Sequence, residues 1–202
     1  MSSSFFKRNR SAIAISSAGV AGLVAWKVDR TIDEIARAFA FLDAKYEPPY
    51  MHAGAVNNPK FDKRWKGGED AMLVSENGKL IMVADGVGGW TKKDVDPGKY
   101  SKFLAKQIGK IYGEKPEQDL KATLIEAVKA NPNKGSTTAC MAKLDGKDKL
   151  KTCNLGDSGY LIVRPNKAGE LEKVFRSESQ QHYFNCPYQC GDLDYYRLPT
   201  NA

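Results

Sequence analysis

Three carboxylates and a glycine are spaced so that they could hold a metal ion. Asp85 ends the apolar run Leu80-Ile81-Met82-Val83-Ala84 and is followed by Gly86, Gly88 and Gly89, so a buried strand delivers a charge into a tight turn. Asp-Gly also suits a turn on its own account, which leaves the role of Asp85 open until its neighbours are placed. Ala71 to Ser75 and Lys79 to Ala84 read as two strands joined by Glu76-Asn77-Gly78, and Asn-Gly between β-favouring runs is a strong hairpin signal. A hairpin sets the start of its first strand beside the end of its second, which brings Glu69 and Asp70 toward Asp85. Like charges sharing a site repel unless a cation neutralises them, and hard oxygen donors suit Mg²⁺ or Mn²⁺.

The elements that must position these residues follow in order. Asp96-Pro97 opens a helix with Asp as N-cap, and Tyr100, Phe103, Leu104, Ile108 and Ile111 share its apolar face. A second helix is expected from about Pro116 to Lys129, with Leu120, Leu124, Ala127 and Val128 inward. Strands resume at Ser136 to Leu144, Leu150 to Leu155 and Tyr160 to Arg164. Gly156-Asp157-Ser158-Gly159 between the last two sets another carboxylate, Asp157, in a glycine-bounded turn. Helices inserted between strand groups indicate a helical layer on a sheet.

The chain of 202 residues is long enough for one domain with a sizeable core. Its net charge is +7, but residues 1 to 28 hold four basic residues and no acid. Elsewhere Lys alternates with Asp and Glu, so no phosphate-tracking surface is indicated and nucleic-acid binding is not expected. Four irregularly spaced cysteines read as reduced structural thiols, and with only His52 and His182 as histidines a zinc site or a histidine-assisted nucleophile is disfavoured. His182, in the run His182-Tyr183-Phe184, is expected to be a packing residue. No phosphate-binding glycine loop is present in usable spacing.

Residues 1 to 28 are rich in Ser and carry an apolar stretch from Ala12 to Trp26. A mitochondrial presequence fits best, with a secretory signal or a membrane tether as alternatives. Residues 29 to 62 are expected to form a linker with a short amphipathic helix from Thr31 to Leu42, followed by a loop from Tyr50 to Asp62. The catalytic domain is expected over residues 63 to 202.

Taken in order, Gly68-Glu69-Asp70, VADGVGGW (83 to 90), VDPGKYS (95 to 101), GSTTAC (135 to 140), NLGDSG (154 to 159) and SESQQHYFN (177 to 185) resemble the metal-dependent type 2C protein Ser/Thr phosphatases, especially their mitochondrial branch. The resemblance implies an α+β fold, an antiparallel β-sandwich flanked by helices, with two Mg²⁺ or Mn²⁺ ions at one end. It implies that Asp85 bridges both metals, that the Gly86 carbonyl binds one, that Glu69 and Asp70 form the accompanying acidic pair, and that Asp157 serves a weaker third metal. The two metals would activate a water for in-line attack on phosphoserine or phosphothreonine in phosphoprotein substrates. Val87 stands where many members have a histidine that could act as a proton donor. Arg64 is the candidate for the phosphate-gripping arginine, with Lys63 and Lys66 beside it. The second Asp-Gly strand and the Asp-Asn that complete a metal site in the family do not occur before Ala202, so the domain is expected to be incomplete at its C-terminal end. A monomer is expected. The rival reading is a non-catalytic module that binds phosphoproteins or regulates a partner.

Overall fold

Asn77 fixes the turn on which the rest is registered. Its Oδ1 accepts from Ser75 Oγ at 2.7 Å and from the Lys79 N–H at 3.0 Å, closing the chain back on itself. In the computed structural model, which describes the backbone of Ser11–Ser17 and Val20–Trp26 together with residues 52–146 and 149–191, the turn joins β4 (Ala71–Val74) to β5 (Leu80–Ala84). These strands pair antiparallel, with Ala71 opposite Ala84 and Val74 opposite Ile81.

Beyond β5, helix α1 (Pro97–Glu114) is capped by Asp96, which accepts from the Gly98 N–H at 3.1 Å. Helix α2 begins at Leu120 rather than near Pro116 and runs to Lys129. Asp119 takes the N-cap there, accepting from the N–H groups of Lys121 and Ala122, and these bonds set the start of the helix. Strands β6 (Ser136–Thr137), β7 (Ala139–Asp145), β8 (Lys149–Leu155) and β9 (Gly159–Pro165) follow. After them come β10 (Leu171–Arg176) and the short β11 (Gln181–Tyr183), β12 (Cys186–Pro187) and β13 (Cys190–Gly191).

Four strands form one sheet in the order β4-β5-β7-β8. The alternation of its central strands separates two apolar layers. Leu80, Met82, Ala84, Ala139 and Met141 face Tyr100, Leu104, Ile108 and Ile111 of α1 and Leu120, Leu124 and Ala127 of α2. Phe103, expected on the buried face, is only half-buried. Ile81, Val83, Cys140 and Ala142 point the other way, onto Ala53, Tyr160 and Ile162 of the second sheet. The result is an α+β arrangement: helices on one face of an antiparallel sheet and a second antiparallel sheet on the other.

The second sheet has the order β10-β9-β2-β1-β3, where β1 is Ser11–Ser17, β2 is Val20–Trp26 and β3 is His52–Asn57. The apolar stretch expected as a leader thus contributes two strands to the backbone of this sheet. Among the described residues no helix is long and apolar enough to cross a membrane. The expected loop from Tyr50 to Asp62 holds strand β3 and a 3₁₀ helix, Phe61–Lys66. Pairing with β1 and the packing of Ala53 between the sheets outweigh the turn-favouring Gly54, Asn57 and Asn58. The helix expected from Thr31 to Leu42 lies outside the described residues.

Candidate active site

The β4–β5 register carries Asp70 and Asp85 to the same end of the hairpin, each one residue beyond the Ala71–Ala84 pair. Asp70 and Glu69 are buried, at 7% exposure each, and Asp85 is half-buried. Gly86 lies directly against the Glu69 backbone, whose carbonyl oxygen leaves no room for a Cβ. Ser101 of α1 donates to that same carbonyl at 2.5 Å. The first turn of α1 and the first turn after β5 therefore clamp one peptide unit between them.

The side chain of Glu69 is answered by ammonium groups. Lys63 Nζ donates to Glu69 Oε2, and Lys66 Nζ stands 3.6 Å from Oε1, which is buried and accepts no hydrogen bond. Lys66 also donates to Asp96 Oδ1 at 2.8 Å. That bond holds the Lys66 ammonium above its ordinary range, against burial, with the charges of Asp96 and Glu69 assisting. Burial would raise Asp96, but the Lys66 ammonium and the Gly98 N–H outweigh it and keep the carboxyl below its ordinary value. Both lysines project from the Phe61–Lys66 turn, which packs onto the site through Lys102 Nζ donating to the Lys66 carbonyl at 2.7 Å.

Arg64, the candidate for holding phosphate, points elsewhere. It is exposed, its guanidinium lies 5.7 Å from the Phe61 ring centre, and its Nε donates to the Pro59 carbonyl at 3.4 Å. Lys63 and Lys66 are the neighbouring basic side chains that reach Glu69.

The turn bearing Asp85 is pinned to β6 and the start of β7. Thr138 N–H donates to the Asp85 carbonyl at 3.0 Å, Asp85 N–H donates to Thr138 Oγ1 at 3.1 Å, and Val87 N–H donates to the Ser136 carbonyl at 3.0 Å. Trp90 Nε1 donates to Ser136 Oγ at 2.6 Å. Asp157, half-buried, sits in the turn between β8 and β9. Gln180 brackets that turn: its Oε1 accepts from the Gly156 N–H at 3.2 Å and its N–H donates to the Gly156 carbonyl at 2.9 Å. His182, expected as a packed residue, is exposed, with its ring edge-on to Tyr188 at 4.2 Å.

The hairpin thus gathers Glu69, Asp70 and Asp85 at the level of the backbone. Their side chains do not converge: no three His, Cys, Asp or Glu side chains among the described residues are placed to hold a metal ion. Lys63 and Lys66 neutralise Glu69. The donor chemistry nevertheless fits a hard divalent cation, being all oxygen, with one buried Glu69 oxygen that accepts no hydrogen bond. The sequence motifs GSTTAC and SESQQHYFN marked the neighbourhood of Thr138 and Gln180 but not their work, which depends on contacts 53 and 24 residues away in the chain.

Solved and curated phosphatases resemble the chain. The chain superposes on the X-ray structure of the photosystem II phosphatase PBCP with a TM-score of 0.63 and 33% identity, over 70% of this chain and 55% of that one. The chain is similar to type 2C protein phosphatases. Probable protein phosphatase 2C 26 of Arabidopsis thaliana is 39% identical over 133 residues, 65% of this chain and 43% of the relative. Protein phosphatase PTC7 homolog of Homo sapiens is 40% identical over 132 residues, 60% of this chain and 42% of the relative. The chain therefore spans less than half the length of these curated type 2C relatives. No family model matches it.

Proposed function

We propose that this chain is a metal-dependent protein serine/threonine phosphatase, with phosphoproteins as substrates. The observation that carries the reading is the hairpin end itself, where Asp70 and Asp85 flank one strand pair and Gly86 is pressed onto the Glu69 backbone. The similarity to type 2C phosphatases supports it. Asp85, the Gly86 carbonyl, Glu69 and Asp70 would hold two Mg²⁺ or Mn²⁺ ions, with Asp157 contributing to a further one. When bound, such ions supply an activated water and charge neutralisation at the phosphate.

The protein's own groups do the rest. Asp85 is held from both sides of its peptide by Thr138, so its carboxylate leaves the sheet in a fixed direction. Ser101 fixes the Glu69 carbonyl from below. Lys63 is the counter-ion of the Glu69 carboxylate. Val87 offers no acid, so the leaving serine or threonine oxygen takes its proton from water.

The composition of residues 1 to 28, with Ser and Arg and no acid, supports mitochondrial targeting. A second reading, a non-catalytic module that binds phosphoproteins or regulates a partner, is favoured by the Lys63 ion pair that occupies Glu69. Phosphate release from a phosphothreonine peptide decides between them. The phosphatase reading requires release that depends on Mn²⁺ and stops with a chelator; binding of the peptide without release would establish the second reading instead.

A further inference from the structure

The motif GSTTAC contains a hydroxyl that joins the two acidic turns. Thr138 is 1% exposed. Its Oγ1 accepts the Asp85 N–H at 3.1 Å and shares a hydrogen with Ser158 Oγ at 2.7 Å. One oxygen is thereby bonded to the residue that ends β5 and to the residue directly after Asp157. Thr138 N–H closes the first junction a second time, on the Asp85 carbonyl.

The second junction is equally tight. Gly156 has φ +101°, and a Cβ there would fall 2.7 Å from Thr138 Cγ2 and 2.6 Å from the Tyr188 carbonyl. The methyl of Thr138 therefore packs against the Asp157 turn while its hydroxyl bonds to it. No other natural side chain combines the two: Val keeps the methyl and loses the bond, Ser keeps the bond and loses the methyl.

We propose that Thr138 is a positioning residue that sets the directions of Asp85 and Asp157 jointly, so that the two acidic turns of the site move as one unit. The assignment of those aspartates to metals rests on the phosphatase reading; the coupling through Thr138 does not. Burial makes the coupling effective. Two neutral hydrogen bonds to one buried hydroxyl restrict both turns, and removing the hydroxyl leaves the Asp85 N–H without its acceptor.

Hydrogen exchange followed residue by residue in the full chain tests this. In Thr138→Val the Asp85 amide and the amides of 156–159 exchange at least about tenfold faster than in the wild type, the loss of roughly one hydrogen bond. Thr138→Ser restores the Asp85 amide. Ser158→Ala, a change at a half-buried position that leaves the core intact, also accelerates exchange at Asp85, 73 positions away in sequence. Acceleration confined to one turn, or an unchanged Asp85 amide in Ser158→Ala, overturns the proposal even if Thr138→Val fails to fold. Mn²⁺ titration by calorimetry on the same proteins separates the two layers. Weaker Mn²⁺ binding in Thr138→Val that returns in Thr138→Ser supports the positioning role, whereas a wild type that takes up no Mn²⁺ removes the phosphatase reading and leaves the exchange result to decide the coupling.

Discussion

Gly86 and Glu69 touch through backbone: the Glu69 carbonyl oxygen occupies the space that any Cβ at position 86 would need. Gly86→Ala must therefore push the Asp85 turn away from the acidic pair or break the bond from Ser101 to Glu69. Overpacking of this kind costs about 1–3 kcal/mol. Urea unfolding is expected to show a loss in that range. Because the strain falls at the site, Mn²⁺ affinity should fall more than the stability loss alone would cause.

Lys63 is the present counter-ion of Glu69 and so stands in the way of a metal at the same carboxylate. Lys63→Met should destabilise the metal-free chain by about 1–3 kcal/mol, because it leaves a buried carboxylate with only Lys66 at 3.6 Å. The same substitution should tighten Mn²⁺ binding, by roughly tenfold, since one repelling charge has gone. Calorimetry at two ionic strengths reads both effects. Weaker binding would identify Lys63 as an organiser of the site rather than a competitor.

Asp96 links the helix cap to the site. Its folded pKa lies below the ordinary value of 3.8, so its stabilising effect is complete above that pH and disappears as pH falls through the lower folded value. Asp96→Asn keeps the cap and loses the ion pair with Lys66; Asp96→Ala loses both and should cost about 1 kcal/mol more. The stability gap between wild type and Asp96→Asn should be widest near neutral pH and close on acidification below 3.8.

Two thiols should be silent. Burial pushes Cys140 and Cys190 up to about 12, with the Cys153 thiol adding a smaller push to each. At pH 8 only about one part in ten thousand of each is thiolate, the reactive form. Iodoacetamide followed by peptide mass mapping should find both unmodified in the native chain and modified after denaturation. Rapid labelling of the native chain would contradict the packing of β7 and β13.

What could be read from the sequence was local. The Asn77-Gly78 turn, the Asp96 cap and the apolar stripe of α1 announce themselves within a few residues, because turn and cap chemistry acts over that range. The hairpin then fixes Asp70 against Asp85 with no further information. Strand β3 was hidden because Gly54 and Asn57 resemble a loop until β1 supplies a partner. The Glu69 counter-ions were hidden for a related reason. Lys63, Arg64 and Lys66 all carry a positive charge, and only the 3₁₀ turn decides that the two lysines reach Glu69 while Arg64 lies over the Phe61 ring. Thr138 was hidden by distance, since its partners lie 53 and 20 residues away.

Asp85 is the centre of the proposed metal-dependent phosphatase site. That role is tested most directly by p-nitrophenyl phosphate hydrolysis with Mn²⁺, comparing the purified chain with Asp85→Ala. Mn²⁺-dependent turnover is expected in the wild type, with a fall of at least about a hundredfold in the variant. Equal rates in the two proteins would contradict it.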